Sequence, residues 1–247
     1  MIPYFFSETY QILGIPLQTW GTFVAAGYAI GTTVAWRRAK QKGLKADLIL
    51  DLAFWMLIAA FVGARAFHVL FYDLAHYLAH PIDVFNPRLP GYAMFGGFLG
   101  AATVFAYFVW TNKLKVLSYA DALIWGLPWG IGIGRIGCFL IHDHPGIATA
   151  LFLGVRYPDG VIRHDLGLYL SLIGFATGLL FLALNRYPRR AGFFLAVFMM
   201  IEGATRIGLD FLRVADARFL GLTPTQYFSI PLFVVGAWLL RRSLTRA

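Results

Sequence analysis

The stretch ADALIWGLPWGIGIGRIGCFLIHDHPG, residues 120–146, joins a long apolar segment to a cluster of ionisable residues. Its apolar part is close in length to the run of about 20 residues that crosses a bilayer. Arg135, His142, Asp143 and His144 lie within ten residues at the end of that run. The stretch therefore predicts a transmembrane helix that carries charged and titratable groups to one membrane surface.

The composition extends this membrane interpretation to the whole chain. Of its 247 residues, 59% are hydrophobic and 13% are charged, and the mean hydropathy is +0.68. Soluble domains carry about 25% charged residues. We therefore expect an all-α integral membrane protein. The single cysteine, Cys138, excludes an intrachain disulfide and a zinc site built from several cysteines, and we expect it to be a small buried residue.

About seven apolar runs have the length of transmembrane helices, and they lie near residues 16–36, 48–72, 92–111, 119–140, 166–185, 192–212 and 225–240. Alternate runs are followed by basic segments: WRRAKQKGLK, TNKLK, NRYPRR and the terminal RRSLTRA. Because basic connectors stay in the cytoplasm, the pattern predicts an external N-terminus and a cytoplasmic C-terminus. We expect one polytopic domain over residues 1–247. Since the net charge of +9 is explained by these connectors, no nucleic-acid partner is expected.

Closely spaced glycines indicate tight helix packing. Gly126, Gly130 and Gly134 recur every four residues, a spacing that lets two membrane helices approach closely. The segment FGGFLG, residues 95–100, contains three more glycines. Two interpretations of Gly96 and Gly97 are open: they pack against another helix, or their N–H groups at a helix start bind an anion.

Several ionisable residues lie inside the apolar runs, where a charge is unfavourable unless it faces a partner or a cavity. They are Asp51, Arg65, His68, Asp121, Arg135, Glu202, Arg206, Asp210 and Arg213. The last four follow at i, i+4, i+8 and i+11, on one face of a helix. One interpretation is a ladder of ion pairs between helices. The other is a central lipid-headgroup cavity, in which arginines from several helices bind a phosphate bidentately.

The connector 141–165 concentrates histidines and aspartates, namely His142, Asp143, His144, Asp159, His164 and Asp165. The His-Asp-His spacing in an irregular segment is a weak signal for a metal, and no metal site is expected. Acid–base chemistry at a water-facing rim fits better, because histidine titrates near neutral pH. The chain contains no GxSxG, Walker or HExxH motif, which argues against the familiar hydrolases, ATPases and zinc proteases.

Five segments, in order along the chain, resemble the bacterial prolipoprotein diacylglyceryl transferases. GARAFHVLFY (63–72) is similar to the family's second-helix stretch, and FGGFLG occupies the place of a His-Gly-Gly segment. ADALIWGLPWGIGIGRIGCF (120–139) is similar to the helix that enters the family signature Gly-Arg-(Ile/Leu)-Gly-Asn-Phe-Ile-Asn-Gly-Glu. RHDLGLYLSL (163–172) resembles an Arg-His-Pro-Ser-Gln-Leu-Tyr-Glu segment, and RIGLDFLRVAD (206–216) resembles the family's Arg-x-x-x-Glu-Phe-x-Arg-x-x-Asp ending.

This resemblance implies an activity. Members of the family transfer the diacylglyceryl group of phosphatidylglycerol to the lipobox cysteine in the signal peptide of an exported prolipoprotein, and they release glycerol phosphate. The resemblance implies no metal and no organic cofactor. It also implies a multi-pass protein of the bacterial inner membrane, surrounded by membrane lipids, with its active site on the periplasmic side.

The resemblance also implies roles for individual residues. Arg135 and Arg206 hold the phosphate that becomes the leaving group, and His164 lies near the headgroup. Asp121 orients the signature helix, and Asp210 pairs with Arg206 or Arg213. The implied substrate-binding residues are Arg65, Arg213, Gly96, Gly97, Asp121, Tyr169 and Asp210.

Several polar residues of the family pattern are replaced. Phe95 stands in place of a histidine often regarded as the base, and the other replacements are Cys138 and Ile141 for the signature asparagines, Asp143 for the glutamate, Trp20 for a tyrosine and Gly167 for a glutamine. His142, His144 and His164 are candidate bases, and Asp143 is expected to position a donor. Two alternatives remain open: a diverged relative that modifies another acceptor from the same lipid site, and a non-catalytic lipid-binding membrane protein.

Overall fold

Helices form most of the chain in the computed structural model, which describes residues 1–86, 89, 91–214 and 218–245. The helices are α1 (Thr19–Gln41), α2 (Asp47–Phe71), α3 (Leu74–Ala79), α4 (Met94–Thr111), α5 (Val116–Ile141), α6 (Leu166–Leu184), α7 (Phe193–Leu209) and α8 (Pro224–Thr245). Two 3-10 turns cover Pro81–Phe85 and Asp210–Leu212. The strands are β1 (Ile2–Pro3), β2 (Thr9–Ile12), β3 (Ile15–Gln18), β4 (Pro145–Ala148), β5 (Val155–Arg156) and β6 (Ile162–Asp165).

Each of the seven apolar runs corresponds to one long helix, so the mostly helical architecture is confirmed. Among the described residues, three helices are long and apolar enough to cross a membrane by length and composition, namely α2, α5 and α6. The count of seven spans stays a prediction. Among the described residues, six short strands that the sequence did not predict accompany the helices.

The strands belong to the N-terminal segment and to the connector between α5 and α6. A four-stranded sheet has the order β1-β5-β6-β4, with β1 parallel to β5 and the other pairs antiparallel. β2 and β3 form a separate hairpin. The sheet pairs the N-terminal segment with the connector between α5 and α6, and an isolated bridge joins Gly146 to Arg213. These three segments therefore lie together, next to the end of α5 and the start of α6.

Two compact units divide the chain, one formed by residues 1–38 and 120–247 and the other by residues 39–119. The prediction of one polytopic domain stays a prediction. In the first unit, an aromatic core consists of Trp125, Phe181, Phe193 and Phe194. The Arg38 guanidinium lies 3.8 Å above the Trp125 ring, and Nη2 donates to Asn185 at 2.8 Å. The buried cation is thus stabilised by an aromatic face and an amide.

Glycine contacts between α1 and α5 confirm the packing interpretation. A Cβ atom added at Gly126 would overlap the carbonyl oxygen of Gly31, and one added at Gly27 would overlap that of Gly130. The two helix backbones therefore approach as closely as small residues allow. Gly134 differs, because a Cβ atom there meets nothing nearer than Val24 Cα at 3.8 Å. The contact tightens again one turn later, where a Cβ atom at Gly137 would lie 3.1 Å from Trp20 Cα.

Candidate functional site

A cavity of about 420 Å³ lies in the first unit, beside the contact between α1 and α5. Its lining comes from α1, α5, α7 and the connector after α5, and consists of Trp20, Val24, Ile131, Gly134, Arg135, Cys138, Asp143, His144 and Arg206. The volume lies within the range of about 300–1,000 Å³ typical of small-molecule sites. The lining combines apolar side chains with charged groups, which suits an amphipathic ligand.

Two arginines from different helices line this cavity, as the phosphate-site interpretation predicts. Arg135 on α5 has Nη1 3.6 Å from the Cys138 sulfur. Arg206 on α7 donates from Nε to Glu202 Oε1 at 2.7 Å. The Glu202 contact is one step of the predicted ion-pair ladder. Because it engages Nε, the terminal nitrogens of Arg206 can still form a bidentate pair with a phosphate.

The ladder does not continue along α7 beyond that pair. α7 ends at Leu209, and Asp210 begins a 3-10 turn. The buried Asp210 carboxylate accepts a hydrogen bond from Thr223 Oγ1 at 2.7 Å, whereas Arg206 pairs with Glu202. The prediction that four charges share one helical face is therefore wrong from Asp210 onward, because the helix geometry changes there. Asp216, at the end of the same motif, lies outside the described residues.

Asp143 and His144 form the polar rim of the cavity. Asp143 Oδ2 lies 3.6 Å from His144 Nε2, and Arg213 Nη2 lies 3.4 Å from His144 Nδ1. Burial lowers the pKa of His144, and the charges of Arg213 and Arg135 lower it further, while Asp143 acts in the opposite direction. The imidazole is therefore mainly neutral at pH 7 and can accept a proton.

His142 lies away from the rim, so its predicted position there is wrong. Its backbone has φ +48°, which turns the side chain into the sheet layer, where Nδ1 lies 2.6 Å from Asp165 Oδ2. Both side chains are only 1% exposed. The Tyr4 ring stacks on the imidazole at 4.3 Å, and the Tyr157 hydroxyl donates to Asp165 at 3.1 Å. His142 and Asp165 thus form a buried structural pair.

Asp165 has a second structural role at the start of α6. Its Oδ1 accepts a hydrogen bond from Leu168 N at 3.0 Å, which caps the first turn of the helix. Next to it, His164 Nδ1 lies 2.8 Å from the Tyr169 hydroxyl, and burial lowers the pKa of His164. The family pattern implies that these two residues lie near the headgroup, but the lining residues of the cavity do not include them. Their contact with a headgroup stays a prediction.

Arg65 holds a loop of the second unit through all five of its N–H donors. Nε donates to Val84 O at 3.0 Å, and Nη1 donates to Leu89 O at 3.3 Å and Gly91 O at 3.1 Å. Nη2 donates to Asp83 O at 2.7 Å and Asn86 O at 3.3 Å. A guanidinium has five donors, so none remains for a phosphate. We therefore correct the predicted role of Arg65 from phosphate binding to loop positioning.

Replacing Arg65 with methionine should loosen this loop. Hydrogen bonds to a charged donor contribute about 1.5–3 kcal/mol each, so amide exchange in the 3-10 turn Pro81–Phe85 should accelerate at least about tenfold. Hydrogen–deuterium exchange measures this effect, with Arg37→Met as the control. Unchanged exchange combined with loss of turnover would restore the phosphate-binding role.

Gly96 and Gly97 belong to the contact between α2 and α4 in the second unit. A Cβ atom at Gly96 would overlap the carbonyl oxygen of Gly63 and the Cβ of Phe67, and one at Gly97 would lie 3.4 Å from Ala60 O. The packing interpretation therefore accounts for Gly96. Anion binding by these residues stays a prediction.

Asp121 orients helices, but at the opposite end of α5 from the cavity. Its Oδ2 accepts from Gly192 N and its Oδ1 from Leu195 N, both at 2.8 Å. These bonds cap the N-terminus of α7, which also carries Arg206. Arg135 follows Asp121 by 14 residues, about 21 Å along a helix. Asp121 therefore positions α7 and is too distant to bind the same headgroup, which corrects its predicted role.

The cavity also includes residues that the sequence did not single out as ligand contacts. Val24 and Ile131 form its apolar wall, and an aliphatic wall residue carries no signal in one sequence. Cys138 is buried, as expected, but it also lines the cavity. Trp20 and His144 had a sequence signal, since one departs from the family pattern and the other belongs to the His-Asp-His cluster.

Among the residues that the structure describes, two groups of side chains have donor atoms close enough to hold a metal ion. In one, Cys138, Asp143 and His144 have donor atoms within 4.8 Å of one another. The other is His76, His80 and Asp83 in the second unit. Arg135 lies 3.6 Å from the sulfur of the first group, and Arg213 lies 3.4 Å from its histidine. Neighbouring guanidinium charges oppose binding of a divalent cation, so the first group suits an anionic ligand better.

Comparison with known proteins confirms the resemblance. The sequence profile of the family described as prolipoprotein diacylglyceryl transferase matches residues 8–242. The phosphatidylglycerol–prolipoprotein diacylglyceryl transferase of Cereibacter sphaeroides is 30% identical over 262 aligned residues, which cover 89% of each chain. The enzyme of the same name from Solidesulfovibrio magneticus is 34% identical over 234 residues, 87% of each chain. The one from Bordetella bronchiseptica is 34% identical over 198 residues, 76% of this chain and 75% of its own. The chain belongs to the prolipoprotein diacylglyceryl transferase family.

Proposed function

We propose that the protein transfers the diacylglyceryl group of phosphatidylglycerol to the lipobox cysteine thiol of a prolipoprotein, with release of glycerol phosphate. The names of the relatives give this reaction for them. The observation that carries it to this chain is the convergence of Arg135 and Arg206 on one cavity with an apolar wall. A phosphodiester headgroup matches the two guanidinium groups, and the glyceryl and acyl parts match the wall.

Arg135 and Arg206 act on the phosphate in this proposal. The thiolate sulfur attacks the glyceryl carbon that carries the phosphate ester, so the S–C bond forms as the C–O bond breaks. The electron pair of the C–O bond passes to the phosphate oxygen, where negative charge develops. Two guanidinium groups held in place by the fold stabilise that charge more than bulk water does, because they need no reorganisation during the reaction.

His144 accepts the thiol proton, and Asp143 stabilises the resulting imidazolium. Of the histidines considered as bases, His144 lines the cavity, whereas His142 is buried against Asp165. A thiol with a pKa near 8.5 is already a few per cent ionised at neutral pH and needs modest help. Burial keeps His144 neutral before the reaction, and the Arg213 guanidinium, 3.4 Å from Nδ1, adds to this effect.

The membrane arrangement is part of the proposal. The seven long helices cross the bacterial inner membrane as one polytopic domain, with the N-terminus outside and the C-terminus in the cytoplasm. The basic segments after alternate helices support this orientation. The sheet end of the first unit, and the cavity beside it, then face the periplasm, where an exported prolipoprotein arrives and where phosphatidylglycerol enters from the surrounding lipids.

The reaction can be tested with purified protein, phosphatidylglycerol vesicles and a lipobox peptide. We expect glycerol phosphate release and a peptide mass increased by one diacylglyceryl group. A matched peptide with serine in place of the cysteine should give neither product. Release of glycerol phosphate with another acceptor but not with the lipobox peptide would favour the diverged relative, and no release with any acceptor would favour a lipid-binding protein.

The reaction rate should depend on the protonation of His144. Burial and the nearby arginines lower its pKa from 6.5, so the rate should be level near pH 7 and fall as the pH drops through that lowered pKa, where the imidazole becomes charged. Initial rates measured from about pH 5 to 8 show this fall, which is the acidic limb of the pH profile. The His144→Gln variant should be slower and lack it. An identical acidic limb in that variant would exclude His144 as the proton acceptor.

A further inference from the structure

Two tight turns in the first unit expose a leucine almost completely. The first closes the β2–β3 hairpin, where Ile12 pairs with Ile15 around Leu13 and Gly14. The second is built from Phe219, Leu220, Gly221 and Leu222, with reciprocal backbone hydrogen bonds of 2.8 and 3.0 Å between its ends. Leu13 is 98% exposed and Leu220 is 99% exposed. We call these the two Leu-Gly turns.

Both leucines also adopt a backbone conformation that leucine disfavours. Leu13 has φ +51° and Leu220 has φ +49°, and the glycines that follow have φ +81° and +84°. Two consecutive positive φ angles define a turn that favours Asn-Gly, Asp-Gly or Gly-Gly. A bulky apolar residue there is strained. In water, each turn would thus combine backbone strain with an unsheltered apolar side chain.

Another turn at the same end of the unit has ordinary polar chemistry. The turn from Tyr157 to Val161 contains Asp159 and Gly160, and Gly160 has φ +80°. Asp159 Oδ1 accepts from Val161 N at 3.0 Å, and Oδ2 accepts from Arg163 at 2.7 Å. Asp159 suits contact with water, whereas Leu13 and Leu220 do not. This contrast indicates that the Leu-Gly turns contact an apolar environment, whereas the Asp159 turn contacts water.

Each Leu-Gly turn lies a few residues before a long helix. β3 ends at Gln18 and α1 begins at Thr19, while Leu222 is two residues before the start of α8 at Pro224. The N-terminal segment and the segment at Arg213 are joined to the same sheet layer by the β1–β5 pair and the Gly146–Arg213 bridge. A helix that enters a bilayer begins near the headgroup region. In the proposed membrane arrangement, in which all seven long helices cross the bilayer, the turns therefore lie near the membrane surface.

We propose that the two Leu-Gly turns insert Leu13 and Leu220 into the interfacial region of the lipid leaflet beside the cavity. Apolar side chains at the boundary between headgroups and acyl chains leave water, which compensates for the strained backbone. Each turn is also connected to the cavity. Trp20, in the first turn of α1, lines it, and Thr223 bonds to Asp210 at the end of the helix that carries Arg206. Insertion thus anchors two cavity-lining elements to the lipid surface.

Depth-dependent fluorescence quenching tests this insertion without reference to activity. Leu13→Cys, Leu220→Cys and, as the matched control, Asp159→Cys are each labelled with an environment-sensitive fluorophore in the full chain. The unsubstituted chain, with Cys138 buried, measures background labelling. In phosphatidylethanolamine–phosphatidylglycerol vesicles containing a lipid spin-labelled near the headgroup, fluorescence should fall by about half or more at 13 and 220 and by less than about a tenth at 159. Equal quenching at the three positions would overturn the proposal.

A double substitution tests the functional consequence, which rests on the proposed function. Asparagine suits the left-handed backbone, so Leu13→Asn with Leu220→Asn should preserve folding while removing the apolar contact. Release of glycerol phosphate from vesicle phosphatidylglycerol should fall several-fold, and release from detergent-dispersed phosphatidylglycerol should not change. An equal loss of glycerol phosphate release with vesicles and with detergent, or no loss with either, would contradict lipid anchoring. Absence of release by the parent protein would instead contradict the proposed function and leave the quenching result to stand alone.

Discussion

Replacing Arg206 with alanine should lower the rate of glycerol phosphate release by about 100- to 1,000-fold, the usual loss when one donor to a developing oxyanion is removed. We expect the same for Arg135→Ala. Each guanidinium reaches the cavity from a different helix, so neither can replace the other. The measurement is the initial rate with phosphatidylglycerol vesicles and a lipobox peptide, at equal amounts of membrane-inserted protein.

Lysine substitutions sharpen this test. Arg206→Lys keeps the charge but loses the planar, bidentate geometry, so it should restore only a small part of the rate. Arg186→Ala, an exposed arginine in the basic connector after α6, is the matched control and should leave the rate unchanged. Near-normal rates in both alanine variants would remove the phosphate-binding role and, with it, the proposed mechanism.

Replacing Asp165 with alanine should destabilise the protein by about 3–5 kcal/mol, the effect of removing one partner from a buried pair. The substitution leaves His142 buried without its 2.6 Å partner. It also removes the acceptor for Tyr157 and the cap of α6. Reversible unfolding in detergent, followed by circular dichroism, measures the change in the free energy of unfolding.

Two variants show which part of this effect comes from the buried pair. Asp165→Asn keeps an oxygen for the helix cap and should lose less stability than alanine does. Asp159→Ala removes an aspartate that bonds Arg163 on the exposed surface, and should change stability little, because exposed pairs are screened by water. Equal unfolding free energies for Asp165→Ala and the unsubstituted chain would show that the His142–Asp165 pair is not a structural support.

The positions of the long helices were predictable because apolar length is a local property of the chain. The run at 119–140 became α5, and that at 166–185 became α6. The end of α7 was less accurately predicted. The apolar pattern extends to residue 212, but the buried bond between Asp210 and Thr223 accompanies a 3-10 turn that ends the helix at Leu209.

Arginines inside apolar runs were correctly predicted to need partners, but the kind of partner was not visible in the sequence. Arg65 and Arg135 follow similar local patterns of glycine and apolar residues. The first donates to five backbone carbonyls of a loop, and the second faces a cavity. Carbonyl groups are present at every residue and carry no sequence signal, so the difference between a loop-positioning arginine and a ligand-binding one was hidden.

Two of the histidines considered as bases, His142 and His144, occupy different environments for a similar reason. His142 and His144 are two residues apart, yet the positive φ angle at His142 directs it into the sheet layer, while His144 remains at the cavity. The partner that buries His142 is Asp165, 23 residues further along the chain. No local pattern indicates such a pairing.

The sequence by itself determined that this is a helical membrane protein with a family signature at the end of its fourth long helix, because hydrophobic length and motif order are properties of consecutive residues. Only the tertiary structure decided that Arg135 and Arg206 share a cavity, that Arg65 holds a loop and Asp121 caps α7, and that His144 rather than His142 lines the cavity. The physical reason is that a buried charge is placed by hydrogen-bond and ion partners that lie far away in the chain, and these partners meet only after the helices have packed.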